Sequence, residues 1–216
     1  MSLLCFGTNS SLCQVSCGSI QNFDFESFSS CPNFGTDPSL GAPWYDPTGA
    51  SSDYWHTCSG STVYPTNFAG NQTPCSGNGY MGLYTAYPMC DPYREYIQAP
   101  LSSPLTIGLT YYVCFYVSLG DAYNYASNRI GAYFSTTPVA NGGNNPCNGI
   151  PNGNLSYIPQ VESTVIITDK VGWTLVSGSF VAAAAYTYIT IGNFRNGAGT
   201  TVQLVPNGVG IAPAFH

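Results

Sequence analysis

Charged residues are scarce in this sequence, and basic residues are the scarcest. Charged residues make up 6% of the 216, against roughly 25% in an average soluble domain. Four Lys and Arg against ten Asp and Glu leave a net charge of −6 at pH 7. Because no basic patch is available to neutralise phosphates, we expect the chain to bind neither nucleic acid nor an anionic membrane surface.

The residues that catalysis requires are scarce as well. The 2 histidines, His56 and His216, leave a serine or cysteine nucleophile almost no choice of base, and Gly-x-Ser-x-Gly is absent. Glycoside hydrolysis needs two facing carboxylates, but half of the acids lie in Pro, Gly or Tyr contexts where Asp caps turns. These acids are Asp37, Asp46, Asp53, Asp91 and Asp121. The sequence therefore predicts a protein that is not an enzyme.

Long apolar runs and internal repeats are missing too. No stretch approaches the roughly 20 apolar residues of a membrane span, so we expect no membrane insertion. Residues 1–7 lack the basic and apolar regions of a signal peptide, which predicts that an export signal was removed or not included. Neither a repeat of about 20 to 50 residues nor a heptad occurs, which excludes solenoids and coiled coils.

Aromatic and neutral polar residues fill the place of charge. The chain has 17 Tyr and is 14% aromatic, whereas disordered segments are poor in aromatic residues. We therefore expect a folded domain. Its surface is predicted to be rich in Tyr, Asn, Gly and Ser, and to associate with neutral partners.

Cysteine is abundant and unevenly spaced. The 9 cysteines lack the paired spacing of a zinc site and occur singly in Gly- and Pro-rich stretches, a pattern typical of disulfides. Disulfides predict an oxidising compartment, here extracellular or at the cell surface. We assign the odd thiol to Cys114, inside an apolar run. The disulfide candidates are Cys5, Cys13, Cys17, Cys31, Cys58, Cys75, Cys90 and Cys147.

The second half of the sequence carries strand patterns. β-branched and aromatic residues predict five strands, at residues 109–119, 129–134, 164–168, 174–181 and 186–194. The alternation from Tyr188 to Gly192 predicts one buried face in the last of them. An all-β fold in a single domain over residues 1–216 follows.

The remainder is loop-like. Residues 1–19 are predicted to be a Cys-rich N-terminal extension, and residues 141–153 a long Gly/Asn loop held by Cys147. Long loops in a compact domain are usually cross-linked or functional. The cysteines of the first half favour cross-linking.

Two aromatic groups are candidate ligand-binding sites. Sugars stack their CH faces on rings, and Asn and Gln bond their hydroxyls. The first group is Trp44, Tyr45, Tyr54 and Trp55, and the second is Tyr123, Asn124, Tyr125 and Asn128, after the strongest strand. In the alternative interpretation, Trp44 and Trp55 plug one end of a β-sandwich.

Several phrases in one order resemble secreted and cell-surface domains of Bacteroidetes-type bacteria, found in gliding-associated, type IX secreted or outer-membrane-associated proteins. The resemblance covers about residues 20–195. It is carried by Asn22-Phe23-Asp24-Phe25-Glu26 with Cys31-Pro32, Trp44 with Asp46-Pro47-Thr48-Gly49, Asp53-Tyr54-Trp55, Ser76-Gly77-Asn78-Gly79-Tyr80-Met81-Gly82, Tyr93-Arg94-Glu95-Tyr96-Ile97-Gln98, Gly172-Trp173, and Tyr188-Ile189-Thr190-Ile191-Gly192-Asn193-Phe194.

The resemblance implies a jelly-roll-like β-sandwich of two antiparallel sheets with long disulfide-stapled loops, similar to carbohydrate-binding modules. Such domains hold a structural calcium between an early and a closing strand, which points to Glu26 and Asp24. The usual acidic pair of the closing strand is missing at residues 212–216. We therefore expect an open sheet edge that accepts a strand from another chain.

Composition and resemblance together predict a non-catalytic extracellular structural or adhesive module. Its expected partners are copies of itself, in a fibre or layer, or neighbouring domains of a surface protein. A carbohydrate-binding module with a glycan partner is the alternative. No cofactor is expected beyond the structural calcium.

Overall fold

The protein is all-β. The structure, a computed structural model, describes residues 2–7, 19–33, 37–62, 64–140, 147, 153–206, 208 and 213–216. Within these residues the only helical segments are short 3-10 turns, so no helix is long and apolar enough to cross a membrane. The turns are Pro38–Gly41, Thr57–Thr62, Pro88–Cys90 and Gly197–Gly199. The strands are β1 (Ser2–Gly7), β2 (Asp53–His56), β3 (Thr66–Asn67), β4 (Gly70–Asn71), β5 (Gly79–Gly82), β6 (Tyr84–Ala86), β7 (Tyr96–Pro100), β8 (Thr110–Val117), β9 (Tyr125–Ser127), β10 (Ile130–Ser135), β11 (Val161–Glu162), β12 (Thr174–Val181), β13 (Tyr188–Asn193), β14 (Val202–Leu204) and β15 (Ala214–Phe215).

Two larger antiparallel sheets carry the longer strands. One has three strands in the order β1-β8-β12, and the other has four in the order β11-β10-β13-β7. Along the chain, β7, β8, β10, β12 and β13 alternate between the two sheets. The pairs β2-β5, β3-β4, β6-β15 and β9-β14 are smaller antiparallel ribbons. The described chain is therefore a sandwich-like arrangement of antiparallel sheets.

Both larger sheets contribute to one hydrophobic core. β8 and β12 supply Val113, Phe115, Val117 and Val176; the other sheet supplies Ile97, Ala99, Ile130, Ala132, Phe134, Ile189 and Ile191. In β8 the buried set is spaced by two residues, as expected when one strand face meets the core. Each Val, Ile or Phe of this core contributes about 1.5–3 kcal/mol when fully buried.

Four of the five predicted strands are confirmed, as β8, β10, β12 and β13. The strand predicted at residues 164–168 is wrong: β11 ends at Glu162, and the backbone then turns. The Ser163 hydroxyl accepts a hydrogen bond from the Val165 N–H at 3.2 Å, so a side chain replaces a ladder partner. Val165 is left 65% exposed.

β13 is buried on both faces, which corrects the prediction of one buried face. Thr190 lies on the face opposite Ile189 and Ile191, and its hydroxyl donates to Gln98 Oε1 at 2.8 Å. That oxygen also accepts from the Val139 N–H at 2.9 Å. The loop carrying Val139 therefore covers a face whose polar residues looked solvent-exposed in the sequence.

The β2-β5 ribbon separates two hydrophobic clusters. Adjacent residues in a strand point to opposite faces. Tyr54 and Met81 accordingly belong to the main core, while Trp55 and Tyr80 belong to a second cluster with Phe215. We call this second cluster, made of Trp55, Ala69, Tyr80, Tyr123 and Phe215 with the side chains packed on them, the aromatic end cluster.

The terminal segments and the long loop are tied to the sheets. Residues 2–7 of the predicted extension form β1, whereas residues 8–18, with Cys13 and Cys17, lie outside the described residues. In the predicted loop, residues 141–146 and 148–152 lie outside them too. At the other end, β15 pairs with β6, and His216 is buried.

Disulfides staple the loops, as predicted. Cys31 is bonded to Cys58, and Cys90 to Cys147, across 27 and 57 residues respectively. The assignment of the odd thiol to Cys114 is wrong, because Cys114 is disulfide-bonded and is the register partner of Cys5 in the β1-β8 pairing. Cys75 is half-buried, and burial raises the pKa of its thiol.

Loop closure predicts the size of the disulfide contribution. We expect Cys90→Ala/Cys147→Ala to lose about 4 kcal/mol of unfolding free energy and Cys31→Ala/Cys58→Ala slightly less, because a longer closed loop restricts the unfolded chain more. Denaturant unfolding under non-reducing conditions measures both. Unchanged midpoints in both double variants would contradict a structural role for these bridges.

Candidate functional site

The first predicted sugar-binding group lies in the interior. Trp44 and Trp55 are each 1% exposed and Tyr54 is 0% exposed. Tyr45 is half-buried and pairs its backbone with Gln98. The prediction of an exposed stacking platform is wrong here, because a buried ring has no open face for a sugar. The alternative, in which the tryptophans fill the interior, agrees with their positions.

The second predicted group is also largely internal. Tyr123 is buried; its hydroxyl lies 2.6 Å from that of Tyr84, and its ring stacks on Phe215. Asn128 is buried, and its Oδ1 accepts from the Thr201 N–H at 2.8 Å. Asn124 and Tyr125 are half-buried. This group therefore holds loops together rather than presenting one binding edge.

Glu26 organises a turn. Its carboxylate accepts hydrogen bonds from the backbone and side-chain amides of Asn78, the latter at 2.9 Å, and from the Gly79 N–H at 3.0 Å. Burial acts to raise the pKa of Glu26, but these bonds outweigh it and lower the pKa. Asp24 Oδ1 lies 3.5 Å from the Glu26 N–H. Calcium binding by this pair stays a prediction; the described residues contain no group of three or more His, Cys, Asp or Glu placed to hold a metal.

Two buried carboxyl groups, those of Asp53 and Glu95, lie near each other. Glu95 is 0% exposed and accepts from the hydroxyls of Ser51 and Tyr93 at 2.7 and 2.6 Å and from the Tyr84 N–H at 2.8 Å. Asp53, in β2, is 1% exposed, and its Oδ1 lacks a hydrogen-bond partner among the described residues. The turn-capping role predicted for Asp53 is therefore wrong. Asp37 and Asp46 do cap turns, bonding the N–H of Ser39 and of Thr48.

Burial raises the pKa of both carboxyl groups. For Asp53 burial is the main cause, the nearby Glu95 adds to it, and the pKa lies well above the ordinary value. For Glu95, burial raises the pKa against the opposing effect of its hydrogen bonds. Carboxyl groups with shifted pKa values often mark active sites, but they also occur in structural hydrogen-bond and ion-pair networks. Glu95 uses both oxygens in internal bonds, so the arrangement favours a structural network.

All four basic side chains are engaged internally. Arg94 pairs with Asp91 at 2.9 Å, and Arg129 and Arg195 both pair with Glu162, at 3.2 and 2.7 Å. Lys170 Nζ donates to the backbone carbonyls of Asp121 and Tyr123 at 3.1 and 2.8 Å. The few cations of this chain are thus used for its own structure, which leaves little basic surface for an anionic partner.

The three-stranded sheet presents an uncharged outer face. Its β12 side chains that point away from the core are Leu175, Ser177, Ser179 and Val181, all exposed. Their register partners on β8 are Tyr116, Cys114, Tyr112 and Thr110. Leu175 is 46% and Val181 59% exposed. We call this flat surface of Tyr, Ser and aliphatic side chains the outer face.

A small pocket lies beside the aromatic end cluster. Its cavity volume is about 30 Å³, and its lining includes Trp55, Gln72, Tyr80 and Trp173. None of its lining side chains is charged at neutral pH, because burial lowers the pKa of His216 to about 4. Trp55 Nε1 and Gln72 Nε2 are buried and have no hydrogen-bond partner within the described part of the chain. The pocket therefore combines aromatic rings with unsatisfied donors.

The sequence contained a signal for the outer face but only part of one for the pocket. The lack of charge in residues 174–181 is visible in the sequence, but apolar and polar residues alternate only loosely there. Trp55 was selected as an aromatic residue, whereas Gln72, Tyr80 and Trp173 are distant from it along the chain. Only the fold brings these four together.

Comparison with known proteins does not identify the chain. No protein-family model matches it, and searches of curated proteins and of solved structures find no match. The resemblance to Bacteroidetes-type domains therefore stays a prediction.

The raised pKa of Asp53 predicts that ionisation of this carboxyl group lowers the stability of the folded protein as pH rises. The folded state holds this proton more tightly than the unfolded state, whose carboxyl titrates near about 3.9. The contribution of Asp53 to the free energy of unfolding is fully present below the pKa of the unfolded state. It decreases by about 1.4 kcal/mol per pH unit as the pH rises from there towards the pKa of the folded state. We expect Asp53→Asn to gain stability relative to wild type as pH rises from about 4 to 7.

Asp169→Asn is the control of opposite sign. Bonds from the N–H groups of Gly172 and Val171 lower the pKa of Asp169, so its contribution is lost as pH falls. Denaturant midpoints across the pH range measure both variants. A pH-independent difference between Asp53→Asn and wild type would contradict the buried ionisable role of Asp53.

Proposed function

We propose that this protein is a non-catalytic extracellular structural or adhesive module that associates with copies of itself. The observation that carries the proposal is the outer face, a flat and uncharged sheet surface on which Leu175 and Val181 are exposed. Ser177 and Ser179 lie between Leu175 and Val181 on this face, which therefore combines exposed apolar side chains with hydroxyls and carries no charge.

The charge distribution favours a second copy as the occupant. The outward side chains of β12 carry no charge, so no like charges are brought together where two copies meet there. Internal pairing of Arg94, Arg129 and Arg195 removes most of the cations that would select an acidic partner. A neighbouring domain of a larger surface protein would need a similarly neutral surface to bind there.

An extracellular location and a jelly-roll-like sandwich belong to the same proposal. The disulfides Cys31–Cys58 and Cys90–Cys147 are typical of an oxidising compartment. Alternation of the longer strands between the two sheets is the pattern of a jelly roll. Both features are in keeping with the secreted bacterial domains that the sequence resembles.

Self-association of this kind should be insensitive to salt. We expect a mass above that of the monomer that grows with protein concentration and changes little between about 0.05 and 1 M NaCl, because screening acts on charges and not on apolar contacts. Sedimentation at several concentrations measures it. A monodisperse monomer up to about 1 mM, where even weak specific contacts are populated, would overturn the proposal.

Glycan binding is the second candidate function, favoured by the pocket. The half-buried ring of Trp173 has a partly open face, and the donors Trp55 Nε1 and Gln72 Nε2, which lack partners among the described residues, suit a sugar hydroxyl. A sugar hydroxyl that reached either donor would supply its missing acceptor.

Tryptophan fluorescence offers a direct test, since two of the 3 tryptophans line the pocket. We expect a neutral hexasaccharide of glucose, xylose or mannose to shift the emission, and Gln72→Leu to weaken binding about tenfold by removing one donor. Tyr157→Ala, an exposed aromatic residue outside the pocket lining, is the control. No shift with any of the three sugars at about 10 mM, a concentration that reveals even weak binding, would exclude this candidate.

A further inference from the structure

β12 is the outermost strand on one side of its sheet, and its far edge has no strand partner among the described residues. β8 pairs with all eight residues of β12, in a register without a shift. On the other side, no backbone hydrogen bond from Thr174–Val181 is made within the described part of the chain. Alternate residues of an antiparallel strand direct their N–H and C=O groups to each side. About half of this strand therefore offers unpaired backbone groups.

This edge lacks the usual protection against pairing. Edge strands in natural proteins are short, are kinked by a β-bulge, or carry charged residues or proline. β12 is eight residues long and contains neither a charged residue nor a proline. A long, regular and uncharged edge is a template for another strand.

Two other sheet edges are protected, which sets β12 apart. Along β7, Tyr45 exchanges backbone bonds of 2.9 and 2.8 Å with Gln98, and Ile20 bridges to Leu101. β11 has two residues, and Glu162 in it is paired with two arginines. In the part of the chain that the structure describes, the edge of β12 therefore differs from these two edges in length and in the absence of a strand or ion pair beside it.

The sequence of β12 is complementary to itself when reversed. If two copies pair antiparallel about an axis at Gly178, Leu175 lies across from Val181 of the second copy, and Ser177 across from Ser179. Apolar side chains then meet apolar ones and hydroxyls meet hydroxyls on the outer face, pairings that stabilise antiparallel sheets. A two-fold axis also gives a closed, symmetric contact.

We propose that two copies of this chain join through the open edge of β12, as antiparallel strands related by a two-fold axis at Gly178. The two three-stranded sheets then become one six-stranded sheet, and the unpaired backbone groups of each edge find partners in the other. The proposal rests on the proposed self-association and specifies where it occurs.

The test places charge on the edge strand without touching the core. In Ser177→Lys/Ser179→Lys, lysines of the two copies lie across from each other, so we expect the dissociation constant to rise at least about tenfold. Both serines are exposed, so the fold should be retained. Thr164→Lys/Thr168→Lys adds the same charge at exposed positions outside any strand and should associate like wild type.

Hydrogen exchange locates the contact independently. Amides of β12 that point to the open edge should exchange more slowly at high protein concentration than at low, while amides of the protected strand β7 should be unchanged.

The outcomes separate the two proposals. Association that the Ser177→Lys/Ser179→Lys variant retains as well as the control does, with no added protection in β12, would overturn the edge contact and leave self-association standing. A wild-type protein that stays monomeric would overturn both.

Discussion

The β2-β5 ribbon is buried on both faces, and the rest of the structure depends on this constraint. Because neighbouring side chains of a strand point in opposite directions, Tyr54 packs in the main core and Trp55 in the aromatic end cluster. Gly82 of the ribbon lies against the rings of Trp55 and Phe215. A Cβ atom at this position would collide with both rings. The large sandwich and the aromatic end thus share one central element.

Burial on both faces makes polar networks necessary. Strand residues that would meet water in an ordinary two-layer sheet here meet protein, and a buried polar group without a partner costs about 1–3 kcal/mol. Gln98 bonds Thr190 and Val139, while Thr85 bonds Ser127 and His216. The carboxylate of Glu95 accepts three hydrogen bonds. The interior therefore carries hydroxyl and amide networks, whose directional bonds fix the loops in place.

Sequence reasoning succeeded where the signal was local. The strands β8, β10, β12 and β13 follow from apolar and β-branched runs, and the two stapled loops follow from isolated cysteines. It failed where long-range contacts decide. Trp44 and Tyr54 looked like a surface platform because their flanks are rich in turn residues, yet the fold covers them. Cys114 looked like a buried thiol, although β1 passes directly beside it.

The engagement of every basic side chain has a further consequence for proteolysis. Proteases that cleave after Lys or Arg find four such residues in the chain. Arg94 is 1% exposed and paired, and Lys170 is held by two carbonyls, so neither extends freely into an active-site cleft. Arg129 and Arg195 share Glu162. The folded protein thus offers trypsin-like enzymes few basic side chains that are free of an intramolecular partner.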